Sequence, residues 1–520
     1  MYYNKTLSSI FMVVLLIGSI AMLGMGAGHE KAGGVLRYAM IDEPPTLDQQ
    51  VMTSDLATTI AQHMFEGLYT FDSEYKPVPL LVESDEIKED GELVVMQLRE
   101  GVPFHNGKEM TSADVVASLQ RWGEHGVRGP VLFEHVEEVE ADGKYTVNIH
   151  FKEPFSPWKS LLAFINGGPV IYPEEVVDQA GEEPIELDDY IGTGPYKFEE
   201  WQGDRYVRLT RFEDYAAVDA PADGYAGERV AYFDELRFIP VPDDSTRFNG
   251  IQAGDYDYAE NLPGDLYESV QDDEDVQVIL DQGPLLATTF LNHKEGIMAN
   301  KKLRQAVLAA LDMRPAMQAT FGPEALWELE GSFAPEGSMW YSEAGTEYYS
   351  QADPERAQEL ADEAGYDGEP IRYMTTTSYQ YIYDSSVVFA EQLGKAGFNI
   401  DLQVYDWSTL TSRRTESEQW DMFQTGHGFV PHPILYTWMS ATYPGWFDTP
   451  EKDELLTEFT STFDDEESQE VWDELQELCY EEVQPISTGH AFNYNLALPE
   501  VKGIDASVLI WPHFWNAWEE

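Results

Sequence analysis

The chain of 520 residues predicts an α/β protein of several domains. Three observations carry this. At about 150 residues each, the length suggests two to four domains. Residues 76–188 read as a small mixed sheet with helices. From Asn292 to about residue 485, helical and strand patterns alternate. Apolar residues make up 43% and charged residues 24%, so the chain can bury a large core and disorder is excluded for most of it.

The elements follow in order. Val35 to Ala39 is a strand, and the loop Glu43-Pro44-Pro45-Thr46 comes after it. Asp55 to Tyr69 reads as a helix beginning at Ser54 or Asp55. Leu93 to Leu98 and Tyr145 to Phe151 alternate apolar and polar residues, as half-buried strands do. Between them Thr111 caps a helix from Ser112 to Trp122. Further strands are expected at Tyr206 to Phe212, Glu235 to Val241, Val276 to Leu280 and Ala287 to Asn292. Asn300 to Asp312 is a helix. Asp353-Pro354 opens another, which Gly365 closes. Ile371 to Thr375 is a strand, and Tyr381 to Lys395 a helix that ends at Gly397. Strands follow at Phe398 to Val404 and Trp420 to Gln424. Asp464 to Glu482 is an acidic helix with its apolar side on Val471, Trp472, Leu475, Leu478 and Cys479.

The charge balance narrows function. There are 31 basic and 95 acidic side chains, a net of -64. Such a chain repels the nucleic-acid backbone, so nucleic acid is excluded as a partner, and a basic membrane-surface patch is disfavoured. The acid excess fits a salty or alkaline exterior. The single cysteine, Cys479, rules out an intramolecular disulfide framework and any multi-cysteine metal site.

The start of the chain reads as a targeting segment. Lys5 precedes an apolar, uncharged run from Leu7 to Met25, and Gly24, Gly26, Ala27 and Gly28 supply small residues for cleavage. Residues 1–28 are therefore expected to be a signal peptide. An uncleaved membrane anchor is the alternative, since about 19 apolar residues nearly span a bilayer. Either way the body lies beyond the cytoplasmic membrane, in the periplasm or at the cell surface.

Catalytic motifs are missing. There is no G-x-S-x-G elbow, no H-E-x-x-H and no EF-hand loop. Gly101 to Lys108 has five residues between its glycines where a phosphate loop needs four, and Glu109 follows the lysine. It reads as a turn at His105-Asn106-Gly107. His427 and His432 lack a third ligand for zinc. No metal and no cofactor is expected, and the chain is not expected to be an enzyme; a secreted hydrolase is the remote alternative.

Nine segments together resemble the extracellular solute-binding proteins of family 5, the peptide- and nickel-type receptors of ABC importers. They are Gly33-Gly34-Val35-Leu36 with Pro45-Thr46-Leu47-Asp48; Glu66-Gly67-Leu68; Leu98 to Gly107; Thr111 to Val116; Gly192-Thr193-Gly194-Pro195-Tyr196 with Arg211 to Tyr215; Gly254-Asp255-Tyr256-Asp257; Leu303-Arg304-Gln305-Ala306; Ala357 to Tyr366; and Trp420-Asp421-Met422. They occur in the family's order along the mature chain. The resemblance implies a two-lobed periplasmic-binding-protein-like fold of the large three-domain type, with a hinge and a ligand cleft between the lobes. Domain I would comprise 33–75, 189–290 and 486–520, domain II 76–188, and domain III 291–485, with hinges near 290 and 486. The implied function is a monomeric receptor that hands a peptide-like solute to a membrane permease. An oligosaccharide, a nickel chelate or another small solute are alternative ligands.

The resemblance also implies site residues. Gly426-His427-Gly428 would offer backbone bonds to a peptide. Oligopeptide receptors of the family then carry an aspartate for the α-amine. Here Phe429-Val430-Pro431-His432-Pro433 contains no acid, and His432 near that place suits an anion or a neutral group better. Glu43, with Pro45 in the same loop, is the alternative amine anchor. Trp407 and Trp511 are candidate aromatic platforms, and Arg413, in a basic pair with Arg414, could meet a ligand carboxylate.

Overall fold

A computed structural model describes residues 33–281, 283–504 and 510–520. The expected signal segment 1–28 lies outside the described residues. Three larger sheets organise the chain. The first has seven strands in the spatial order Gln277–Leu280, Tyr494–Ala497, Tyr258–Ala259, Val35–Met40, Glu235–Pro240, Tyr206–Arg211 and Tyr196–Gln202. The second is a four-stranded antiparallel sheet of Val82–Lys88, Leu93–Leu98, Thr146–Phe151 and Val136–Ala141. The third runs Trp327–Glu328, His490–Ala491, Leu285–Leu291, Met422–Gly428, Ile371–Thr376 and Ile400–Tyr405, with Ile486–Ser487 also paired to Leu285–Leu291.

Local sequence explains these elements. Val35–Met40 has parallel neighbours on both sides, and Leu36 and Tyr38 are fully buried. In Leu93–Leu98 the alternation buries Val94, Met96 and Leu98. The helix Ser112–His125 packs beside that sheet and starts from a reciprocal cap, in which the Thr111 amide donates to Asp114 Oδ2 at 2.8 Å. The helix Pro354–Ala364 is capped by Asp353 and ended by Gly365 at φ 76°.

Two helices differ from expectation. The one from Asp55 stops at Ala61. The amides of His63 and Met64 turn back to the carbonyls of Ile60 and Ala61 at 3.2 and 2.9 Å. The chain then draws Glu66 inward to Arg229, and Tyr69–Phe71 becomes a short strand. The helix expected from Asn300 to Asp312 is two helices, Lys301–Ala309 and Met313–Phe321. Asp312 caps the second by accepting from the Arg314 amide, so it starts a helix instead of ending one.

The chain passes between the first and third sheets twice, leaving the first after Leu280 to enter the third at Leu285 and returning at 492–493. The resemblance placed these crossings near 290 and 486. Leu285–Leu291 pairs with Met422–Gly428 along its whole length, and Ile486–Ser487 pairs with the same strand, so all three belong to the third sheet. The two crossings touch each other: the Asp281 amide donates to Asn493 O at 3.0 Å. A shared core of Tyr225, Phe290, Trp420, Trp472, Trp511 and Trp515 joins the units.

Candidate functional site

The third sheet presents an unfinished edge. Met422–Gly428 pairs with Leu285–Leu291 on one side over seven residues. On the other side Ile371–Thr376 reaches only Met422 and Phe423. Among the described residues, the backbone from Gln424 to Gly428 has no strand partner on that side; Gln424 and Thr425 are buried, and Gly426 to Gly428 reach the surface. Such an edge can accept an added strand, with main-chain bonds supplying affinity.

Side chains around that edge form an aromatic wall. His427 is held from both ring nitrogens, with Nδ1 at 2.9 Å from Thr288 Oγ1 and Nε2 at 3.1 Å from Tyr443 Oη. Trp438 and Phe290 pack edge-on against its ring. Burial, helped by the charge of Arg414, lowers the His427 pKa to about 3, so the imidazole is neutral. Gly426 leaves room for Tyr381: a Cβ at that position would lie 2.2 Å from Tyr381 Oη. Trp407 opens the helix Trp407–Arg413 and meets Tyr379 edge-on at 5.2 Å.

Arg414 supplies the charge of this wall. Its guanidinium lies 5.8 Å from the ring centres of Trp407 and Phe423 and 5.7 Å from that of Tyr443. Among the described residues it has no carboxylate partner, although the chain carries 95 acids. Arg413, the expected residue, instead lies over Tyr405 of the edge strand at 4.7 Å.

The structure brings Trp407, Gly426, His427 and Gly428 together on the third sheet. Glu43 and Pro45 lie at the end of the first sheet. The Glu43 carboxylate accepts from Trp201 Nε1 and from the Asp204 amide, the latter at 2.9 Å. Phe429 is buried and packs edge-on against Tyr75 at 4.8 Å, a contact that ties the third sheet to the rest of the molecule. His432 is not part of the wall. It is caged by Trp340 and Phe459, accepts from the Ile434 amide at 3.2 Å, and is held neutral because burial lowers its pKa to about 3. Trp511 is also committed elsewhere: its indole donates to Asp55 Oδ1 at 2.8 Å and its ring packs on Phe164.

Sequence reasoning missed Tyr381, Tyr443 and Thr288, and named Arg414 only as the neighbour of Arg413. For Arg414 the signal was present in the Arg413-Arg414 pair, but only the packing distinguishes the two. Thr288 and Tyr443 join His427 from 139 and 16 residues away, so spacing carried no signal.

Two sheet-based units joined by adjacent crossings, with an open strand edge and an aromatic wall on one of them, define a solute-binding fold. The chain belongs to the bacterial extracellular solute-binding proteins, family 5, whose middle region matches residues 76–446. It is 27% identical over 487 residues to the probable peptide ABC transporter periplasmic-binding protein y4tO of Sinorhizobium fredii, with 90% of each chain covered. It is 24% identical over 519 residues to the oligopeptide-binding protein AppA of Bacillus subtilis, covering 91% of this chain and 89% of that one. Its fold is similar to that of DppA from Helicobacter pylori, solved with the peptide STSA, at a TM-score of 0.77 and 21% identity over 94% of this chain and 99% of that one.

Proposed function

We propose that this protein is an exported, non-catalytic receptor that binds a peptide between its two lobes and presents it to an ABC permease. The unpaired backbone edge that reaches the surface from Gly426 to Gly428 carries this reading. An extended peptide adds to that edge. Neutral His427 and the aromatic wall accept varied side chains without stranding a charge. Arg414 takes the peptide's carboxylate, since its guanidinium has no other anion among the described residues. Glu43, on the facing lobe, is the candidate partner for the amine. Closure of the two lobes on one another would bury the ligand. The names of the relatives, a peptide transporter's binding protein and an oligopeptide-binding protein, support the same class of solute.

The test is incubation of the purified protein with a mixed peptide library, followed by mass spectrometry of what is retained. Intact peptides should be recovered, and small-angle scattering should show a more compact particle when they are bound. Recovery of cleaved fragments, or of no peptide at all, would sink the reading.

A further inference from the structure

Beside Glu43 the first sheet carries a hollow of about 940 Å³, within the range of ligand sites. Its lining mixes polar surface with Val51, Met52, Ile185, Leu187 and the rings of Tyr190 and Trp201. The charged side chains of its lining are Glu183 and Glu186, both exposed, and no lysine or arginine lines it.

The hollow is built on a rigid frame. The buried Asp48–Arg121 pair, 2.7 Å apart, lies beneath it. Arg121 donates to the Glu183 carbonyl at 3.0 Å, and Asp48 Oδ2 accepts from the Ile185 amide at 3.1 Å. Tyr190 Oη holds Thr46 Oγ1 at 3.1 Å and the Leu47 amide at 3.0 Å, which fixes the opposite wall. The Trp201 indole is pinned by Glu43, so the hollow adjoins the loop that faces the ligand in the reading above. A hollow open to solvent, with apolar side chains and two carboxylates in its lining, suits an alkyl stem with a cationic head.

We propose that this hollow receives a lysine or arginine side chain of the bound peptide and gives the receptor a preference for basic peptides. The stem packs on Trp201 and Met52, and the head meets Glu183 and Glu186. The inference rests on the peptide reading.

The test uses three synthetic pentapeptides, Lys-Leu-Ala-Gly-Ala, Gln-Leu-Ala-Gly-Ala and Glu-Leu-Ala-Gly-Ala, titrated calorimetrically in 0.15 M salt. The lysine peptide should bind about tenfold tighter than the glutamine peptide. The double variant Glu183→Gln/Glu186→Gln should bring the two within about twofold and leave the glutamine peptide unchanged. Because a chain of net charge -64 attracts any cation, the control is Glu454→Gln/Glu458→Gln on an exposed helix face, which should keep the preference. Equal affinities in the native protein, or a preference lost equally in the control, would overturn the hollow's role while the glutamine peptide still reports peptide binding. If none of the three binds, the peptide reading falls and takes this inference with it.

Discussion

Arg121 and Arg414 show how differently the two sides of this molecule use charge. Arg121, beneath the first sheet's loop, is almost wholly buried, and its donors reach Asp48, Gln50, Gly181 and Glu183. Glu66 and Arg229 repeat the pattern, with Thr193 and Tyr215 donating to the same carboxylate. Arg414, on the third sheet's face, lies among three aromatic rings and has no carboxylate. A buried charge is tolerable only when its partners are complete. The first region spends its charges on holding loops and sheets together. The third-sheet face leaves one open, and an open charge is free to meet a ligand.

The sharpest way to break this comparison is to remove one partner on each side. Asp48→Asn leaves Arg121 without its counter-charge and should cost about 3–5 kcal/mol, since one buried charge is then uncompensated. Thermal or urea unfolding would measure it. A loss under about 1 kcal/mol would mean that the pair is not the frame described here.

Arg414→Met should do the reverse. With no ion pair to lose, its removal should change stability by about 1 kcal/mol or less, the scale of its contacts with the aromatic rings. Affinity for a peptide with a free C-terminal carboxylate should fall about 10–100-fold, the range for losing one charged contact. The amidated form of the same peptide should bind wild type and variant alike. Equal losses for both forms would assign Arg414 to the wall's packing and not to the carboxylate.

The contrast also explains what the sequence disclosed. The sheets were legible because alternation, as at Leu93–Leu98, and caps, as at Thr111 and Asp353, are local signals. The helix from Asp55 was read too long because a buried Glu66–Arg229 pair, 163 residues apart, sets the chain's path after Ala61. The placement of the expected site residues was only partly a matter of local sequence. Gly426-His427-Gly428 falls in a strand of the third sheet and Trp407 opens a helix beside it, while the difference between Arg413 and Arg414 depends on which ring each packs over. His432 and Trp511 look like site residues in sequence, yet cages of Trp340 with Phe459 and of Asp55 with Phe164 claim them.

A smaller effect follows from His427. Its pKa is lowered from an unfolded value near 6.5 to about 3, so the folded state favours the neutral ring. Its contribution to stability is complete above about pH 6.5 and is lost as pH falls through that value toward the folded pKa. Between pH 7 and pH 6 the loss is about 0.7 kcal/mol, set by the unfolded pKa because the folded one lies far below. His427→Gln, which keeps a donor and an acceptor for Thr288 and Tyr443 but does not titrate, should flatten the slope of stability against pH by that amount. Identical slopes would show that the ring is not held neutral.

The smallest expected effect makes the finest distinction. Arg413 and Arg414 are adjacent in sequence and chemically identical, so any difference between them comes from packing alone. Arg413 lies 4.7 Å from the Tyr405 ring centre, and its Nε is buried without a partner. Stacking of this kind is worth about 0.5–1 kcal/mol near a surface, and the unpaired Nε offsets part of it. Arg413→Ala should therefore lower stability by less than about 1 kcal/mol and leave peptide affinity within about twofold, for acid and amide peptides alike. Arg414→Met should differ from it in affinity, weakening the free-acid peptide and sparing the amide. If Arg413→Ala selectively weakens the free-acid peptide, the carboxylate is met at the edge strand Ile400–Tyr405, and the open charge among Trp407, Phe423 and Tyr443 needs another ligand.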